Sequence, residues 1–99
     1  MNRIVKYLFI TDYTTSRGDF HQCFEVSYVL PDGESLEKAK VICIEHIKRQ
    51  IRSRGYLLTR LQIAYSDLNV FELQDLIDGK LPANSQGKVI ILELEEVDI

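Results

Sequence analysis

The segment from Arg3 to Tyr13 is apolar on both of its alternating faces, and this restricts the fold more than any other feature of the chain. Ile4, Leu8 and Ile10 fall on one face; Val5, Tyr7, Phe9 and Tyr13 fall on the other. β-branched and aromatic residues at a period of two read as a strand, and a strand apolar on both sides belongs in a sheet covered on both faces. One helix can cover one face. The second face needs another helix or another chain.

The rest of the sequence supplies the candidates. Thr14 to Asp19 is a polar loop that reads as the connection to an antiparallel partner strand, Phe20 to Leu30. In that partner Phe20, Phe24, Val26, Tyr28 and Leu30 share the core side, and His21, Cys23, Glu25 and Ser27 take the other. Pro31, Asp32 and Gly33 make a turn, and Ser35 stands as N-cap of a helix from about Leu36 to Arg54, with Gly55 as its C-terminal cap. Leu36, Ala39, Cys43, Ile47 and Ile51 form its apolar stripe. Tyr56 to Tyr65 reads as a third strand, with Leu57, Leu61, Ile63 and Tyr65 on one side and Tyr56, Leu58 and Ala64 on the other. Asn69 as N-cap, Glu72 as its capping-box partner, Leu68 with Leu73 as hydrophobic staple and Gly79 at the end define a short second helix. A loop over Pro82 to Gly87 and a last strand over Lys88 to Val97 complete the chain.

The expected fold is α+β, a two-layer α/β sandwich of order ββαβαβ. It has a four-stranded mixed or antiparallel sheet, one long helix packed on one face, and one short helix. The mixed form follows if the long helix makes a right-handed crossover between parallel second and third strands. Ninety-nine residues, 45% hydrophobic and 27% charged, suffice for one such core, so residues 1–99 are read as a single domain.

Two cysteines are too few for a disulfide framework, and the N-terminus lacks the basic, apolar and small-residue regions of a secretory leader, so the cytoplasm is the expected compartment. The longest nearly continuous apolar stretches, Tyr7 to Ile10 and Val89 to Leu92, fall far short of the ~20 residues of a membrane helix. No membrane is expected as a partner.

The net charge of -3 conceals a segregated distribution: seven basic residues against Glu45 between Lys38 and Arg60, and eight acids against Lys80 and Lys88 from Asp67 onward. Lys48, Arg49, Arg52, Arg54 and Arg60 form the candidate charged patch. The negative end of the helix macrodipole accounts for the cations in its last turns without any ligand. The same residues, with Tyr56 to stack on a base, could also grip nucleic acid, although an acidic domain is an unusual phosphate binder.

Other constellations are weaker. His21, Cys23, Cys43 and His46 make a zinc-type ligand set, yet the strand pair and Cys43 fall on opposite sides of the sheet, and their spacing is foreign to common zinc sites. A Cys/His nucleophile pair would place Cys23 inside a strand or Cys43 in mid-helix, away from the strand ends and helix N-termini where such groups work. The acidic terminus of Glu93, Glu95, Glu96 and Asp98 reads as a solvated strand end that discourages edge pairing. Neither a catalytic group, a metal nor a cofactor is expected, and no family signature can be quoted.

What remains is excess apolar surface. Tyr7, Phe9 and Tyr13 on a second sheet face, together with Val41 on the outer side of the long helix, are the candidate partner-binding residues. The expected function is that of a small non-enzymatic protein-binding module, on the scale of prokaryotic or phage-encoded accessory or inhibitor proteins that occupy a partner's surface. Its expected partner is a protein, a second copy of the chain included. The alternative is an RNA- or DNA-binding module that uses the basic end of the long helix.

Overall fold

The computed structural model of the protein describes residues 3–80 and the backbone of residues 89–93. The loop expected over Pro82 to Gly87 and the acidic terminus beyond Glu93 lie outside the described residues. The fold is α+β, an antiparallel sheet with two helices. β1 (Arg3–Thr15) and β2 (Gly18–Leu30) form a hairpin, followed by α1 (Leu36–Ser53), β3 (Leu57–Ser66), α2 (Val70–Ile77) and β4 (Val89–Glu93).

The expected six-residue loop shrinks to a tight turn. Thr14 Oγ1 donates to Asp19 Oδ1 at 2.7 Å and Thr15 Oγ1 accepts from the Arg17 amide at 3.0 Å, so polar side chains close the strands where composition alone reads as loop. β3 pairs with the opposite side of β1, giving the order β2-β1-β3-β4. Of the two expected forms the antiparallel sheet is the one observed, and the mixed one is corrected. α1 does cross between two strands of like direction, but β1 lies between them, so every neighbouring pair is antiparallel.

A two-layer description is corrected as well, because each helix covers its own side of the sheet. Beneath α1 lie Tyr7 and Phe9 of β1 with Leu58, Leu61 and Ile63 of β3, packed against Cys43, Ile47 and Ile51. On the opposite face Leu73 of α2, fully buried, sits over Leu8, Ile10, Cys23 and Ala64, with Val70, Leu76 and Ile77 around it. A strand apolar on both sides is thus satisfied within one chain.

Two departures from simple periodicity have local causes. The register of β3 on β1 shifts between Asp12, opposite Arg60, and Tyr13, opposite Leu58, leaving Thr59 as the extra residue of a bulge. Thr59 Oγ1 donates to the Asp12 carbonyl at 3.1 Å and holds it. The bulge turns Leu58 into the α1 core with Leu61 and Ile63, and leaves Leu57 at the surface, the reverse of uninterrupted alternation. In α1 the buried stripe begins at Ala39, and Leu36 in the first turn stays half-exposed. Its carbonyl accepts from the Tyr7 hydroxyl at 3.2 Å, so this turn rests on a polar contact at the rim of the core.

The caps follow the sequence signals closely. Ser35 accepts from the Lys38 amide at 3.1 Å, and Asn69 and Glu72 form the reciprocal capping box of α2. Leu68 and Leu73, the expected staple, are both buried.

Candidate functional site

The end of the sheet at the β1–β2 turn brings a cluster of three aromatic rings beside basic groups of the hairpin and of the last turns of α1. Gly55, at φ +77, ends α1 in a Schellman motif: its amide donates to Arg52 O at 2.9 Å, and the Tyr56 amide donates to Ile51 O at 3.4 Å. The left-handed residue swings Tyr56 over the end of the sheet. There its ring stacks on Tyr13 with centroids 5.2 Å apart and planes 3° from parallel. Phe20 stacks on the Tyr13 ring at 5.8 Å and 22°. The Tyr13 hydroxyl donates to Gln22 Oε1 at 2.7 Å, which fixes this ring against its own hairpin.

Phe20, Tyr13 and Tyr56 form a ledge beyond the last turn of α1, with Phe20 42% exposed and the two tyrosines half-buried. With Thr15, Ser16 and Arg17 of the hairpin they line an open cleft of about 470 Å³. A second cleft of about 370 Å³, lined by Glu45, Lys48, Arg49, Arg52 and Ser53, lies along the C-terminal half of α1. Partly exposed rings beside the Arg17 side chain, which lines the same cleft, suit a partner that offers a flat apolar or aromatic group beside a negative charge.

The structure separates the sequence-derived candidates. Tyr7 and Phe9 are buried beneath α1, and Phe9 has no exposed surface, so they are core of the monomer and not anchors on an uncovered face. Tyr13 alone of the three aromatics reaches the hairpin end. Val41 is half-exposed on the outer side of α1, apart from both clefts.

The charged patch divides too. Lys48 is drawn towards Glu45 at 3.9 Å with its side chain only 13% exposed. Arg60 stands in register opposite Asp12, which alternates with Leu8 and Ile10 on the α2 side of the sheet, so the sheet parts it from the α1 cations. Arg49, Arg52 and Arg54 remain on the exposed surface of the helix end. Phe20, expected on the core side of β2, and Arg17, inside the loop expected over Thr14 to Asp19, are the two residues that sequence reasoning does not place at this site. A tight hairpin places both beside Tyr13, and the Thr14–Asp19 spacing was the available clue.

The nucleophile and metal candidates are also placed. Cys23 belongs to the core beneath α2 and Cys43 to the core beneath α1, so the sheet lies between them. Burial, with Asp78 adding to it, pushes the Cys23 thiol up to about 11, and burial raises the Cys43 thiol as well. Both sulfurs are held as thiols at neutral pH, which disfavours nucleophilic attack. His46 is exposed on α1 while Cys43 is buried. His21 Nδ1 instead meets the Asp12 carboxylate across the hairpin. Among the described residues no helix is long and apolar enough to cross a membrane.

Compared with known proteins, the chain matches no family model, no curated protein and no solved structure.

Proposed function

We propose that the protein is a non-enzymatic protein-binding module whose contact surface is the hairpin end, a regulator or inhibitor acting by occupying a partner's surface. The observation that carries this reading is the Phe20–Tyr13–Tyr56 stack, half-exposed and flanked by Arg17 and the basic last turns of α1. Aromatic rings held rigid by their neighbours lose little entropy on binding, and arginines beside them add directional hydrogen bonds. The favoured partner surface is acidic with an apolar projection, complementary to this ledge.

Nucleic acid is the second reading, supported by the same juxtaposition, because a base stacks on an open ring while guanidinium groups meet phosphate. The two separate in one comparison. The tagged protein and its Phe20→Ser and Arg17→Glu variants are passed through lysate with and without nuclease, at two salt concentrations. A protein held by the parent after nuclease treatment and lost from both variants supports the first reading. Material lost on nuclease digestion, with affinity falling steeply with salt, supports the second. Retention that is equal for parent and variants overturns the hairpin end as the contact surface.

A further inference from the structure

Among the described residues, the outer edge of β2 is guarded over one stretch and open over the next. Alternate residues of this strand turn their backbone groups away from β1. The Gln22 carbonyl faces inward, where Thr11 Oγ1 donates to it at 2.9 Å. His21 and Cys23 face outward, and there the Gln74 side chain of α2 acts as a surrogate strand. Its Oε1 accepts from the Cys23 amide at 2.7 Å and its Nε2 donates to the His21 carbonyl at 3.3 Å. Beyond Cys23 the outward positions are Glu25, Ser27 and Val29, and among the described residues no strand pairs with them. Sheet edges are ordinarily protected by charged side chains, proline or a bulge; this stretch carries a single charge, Glu25, drawn to Lys6 at 3.9 Å, and no proline before Pro31.

We infer that the open stretch pairs with the same stretch of a second copy of the chain, antiparallel and centred on Val26, joining two sheets across a twofold axis. The chemistry of the edge selects this occupant and this register. Centred on Val26, Glu25 lies opposite the other copy's Ser27, so no like charges meet, whereas centring on Glu25 would oppose two carboxylates. On the α1 side Phe24 lies opposite Tyr28, and Val26 meets its own equivalent, an apolar row half-buried in the monomer.

On the α2 side the edge carries both a notch and the group that fills it. Cys23, Val70, Phe71 and Gln74 help to line an apolar cleft of about 420 Å³ along the edge, and Phe71 beside it is 78% exposed. Val29, 54% exposed next to the exposed Ile4, falls opposite Cys23 of the other copy and enters that cleft.

The ladder also ends where it should. The Val29 amide meets the open Cys23 carbonyl, while the Cys23 amide stays with Gln74. Gln74 fills the place a strand would take opposite the Cys23 amide and the His21 carbonyl, so the other copy's chain leaves the edge after the Val29 amide, at Pro31, which has no amide hydrogen to leave unpaired. An arbitrary extended peptide would use the backbone groups but lacks this paired notch and plug.

The test is the mass and cross-linking of the full chain. Sedimentation equilibrium is expected to show twice the 11.5 kDa monomer mass, with dissociation on dilution. Val26→Cys is expected to form a disulfide-linked dimer under mild oxidation, since residues facing each other in a non-hydrogen-bonded pair approach closely. Ser53→Cys on α1 should not. Ser27→Glu places a second carboxylate opposite Glu25 of the other copy and should weaken the dimer about fivefold, whereas Ser27→Lys, which also faces Lys6 of its own hairpin, should not weaken it. Ser27→Pro removes an outward amide that no described residue of the monomer accepts from, and should abolish the dimer. Circular dichroism of each variant separates loss of pairing from loss of fold.

A monomer at every concentration overturns the inference. So does a dimer in which Val26→Cys links no better than Ser53→Cys, or one indifferent to the sign of charge at position 27. None of these results bears on binding at the hairpin end, whose variants lie at Arg17 and Phe20.

Discussion

The two faces of the sheet are stabilised in different ways. On one, an 18-residue helix lays Ala39, Cys43, Ile47 and Ile51 along the sheet over Phe9, Leu58, Leu61 and Ile63, joining apolar residues from distant parts of the chain. On the other, an eight-residue helix covers only the middle: Leu73 is fully buried, while Ile4, Val29 and Phe71 stay in solvent around it. An isolated helix as short as α2 is unstable in water, so its order depends on its capping box and on Leu73. The long helix provides the bulk of the core; the short helix seals a patch and polices an edge through Gln74.

The sharpest way to break this contrast is to delete one buried side chain from each face. Phe9→Ala is expected to cost about 3–5 kcal/mol and to lower the midpoint of global unfolding, measured by urea titration. Leu73→Ala is expected to cost about 2–4 kcal/mol, expressed first as local opening of α2. Hydrogen exchange should then quicken at the Cys23 amide and in α2, while the amides of α1 stay protected. Equal acceleration on both faces would show that the two cores open as one unit.

Alkaline pH acts on both faces, through Cys23 beneath α2 and through Cys43 and Tyr7 beneath α1, and Cys23→Ser isolates the α2 contribution. The Cys23 thiol ionises near 9.0 in the unfolded chain and about 11 in the folded one. The stability this contributes is complete below pH 9 and is lost as pH rises to 11, by about 2–3 kcal/mol in all. Cys23→Ser should flatten the slope of unfolding free energy across that window. Thiol alkylation followed against pH checks the same displacement directly.

Gly55→Ala tests the link between α1 and the hairpin end. At φ +77 an alanine is strained by about 1–2 kcal/mol, and the shift of Tyr56 should appear as altered tyrosine near-ultraviolet dichroism. The smallest effect sharpens the comparison from the other side. Phe71→Ser changes an aromatic as large as Phe9, yet in the monomer it should alter stability by less than about 0.5 kcal/mol, because the ring is already in water. A large loss on dilution-resistant samples would place Phe71 in a contact between copies.

Much of this architecture is legible residue by residue. Ser35, Asn69, Glu72, Gly55 and Gly79 mark the helix ends by local hydrogen-bond chemistry, which acts over a few residues and so is written in adjacent positions. The stripe from Ala39 to Ile51 and the two-sided character of β1 are equally local patterns. The bulge at Thr59 is not. Only pairing with β1 determines where one extra residue is accommodated, and that single residue decides whether Leu57 or Leu58 enters the core.

The candidate surface was less legible than the fold. Phe20 follows the alternation of a core residue and Tyr7 that of an exposed anchor, and each lies where the other was expected. Which face of a two-sided strand a helix covers, and how far along it that helix reaches, depends on strand order and on where α1 stops. Neither is encoded in a window of ten residues.

The sequence by itself determined the elements, their caps and the need to cover both faces of β1, because these follow from periodicity and from backbone groups that neighbours must satisfy. Tertiary structure alone decided which apolar residues became core and which became surface. Burial is a property of the assembled layers: two strands of identical patterning differ once one lies beneath an 18-residue helix and the other runs past its end.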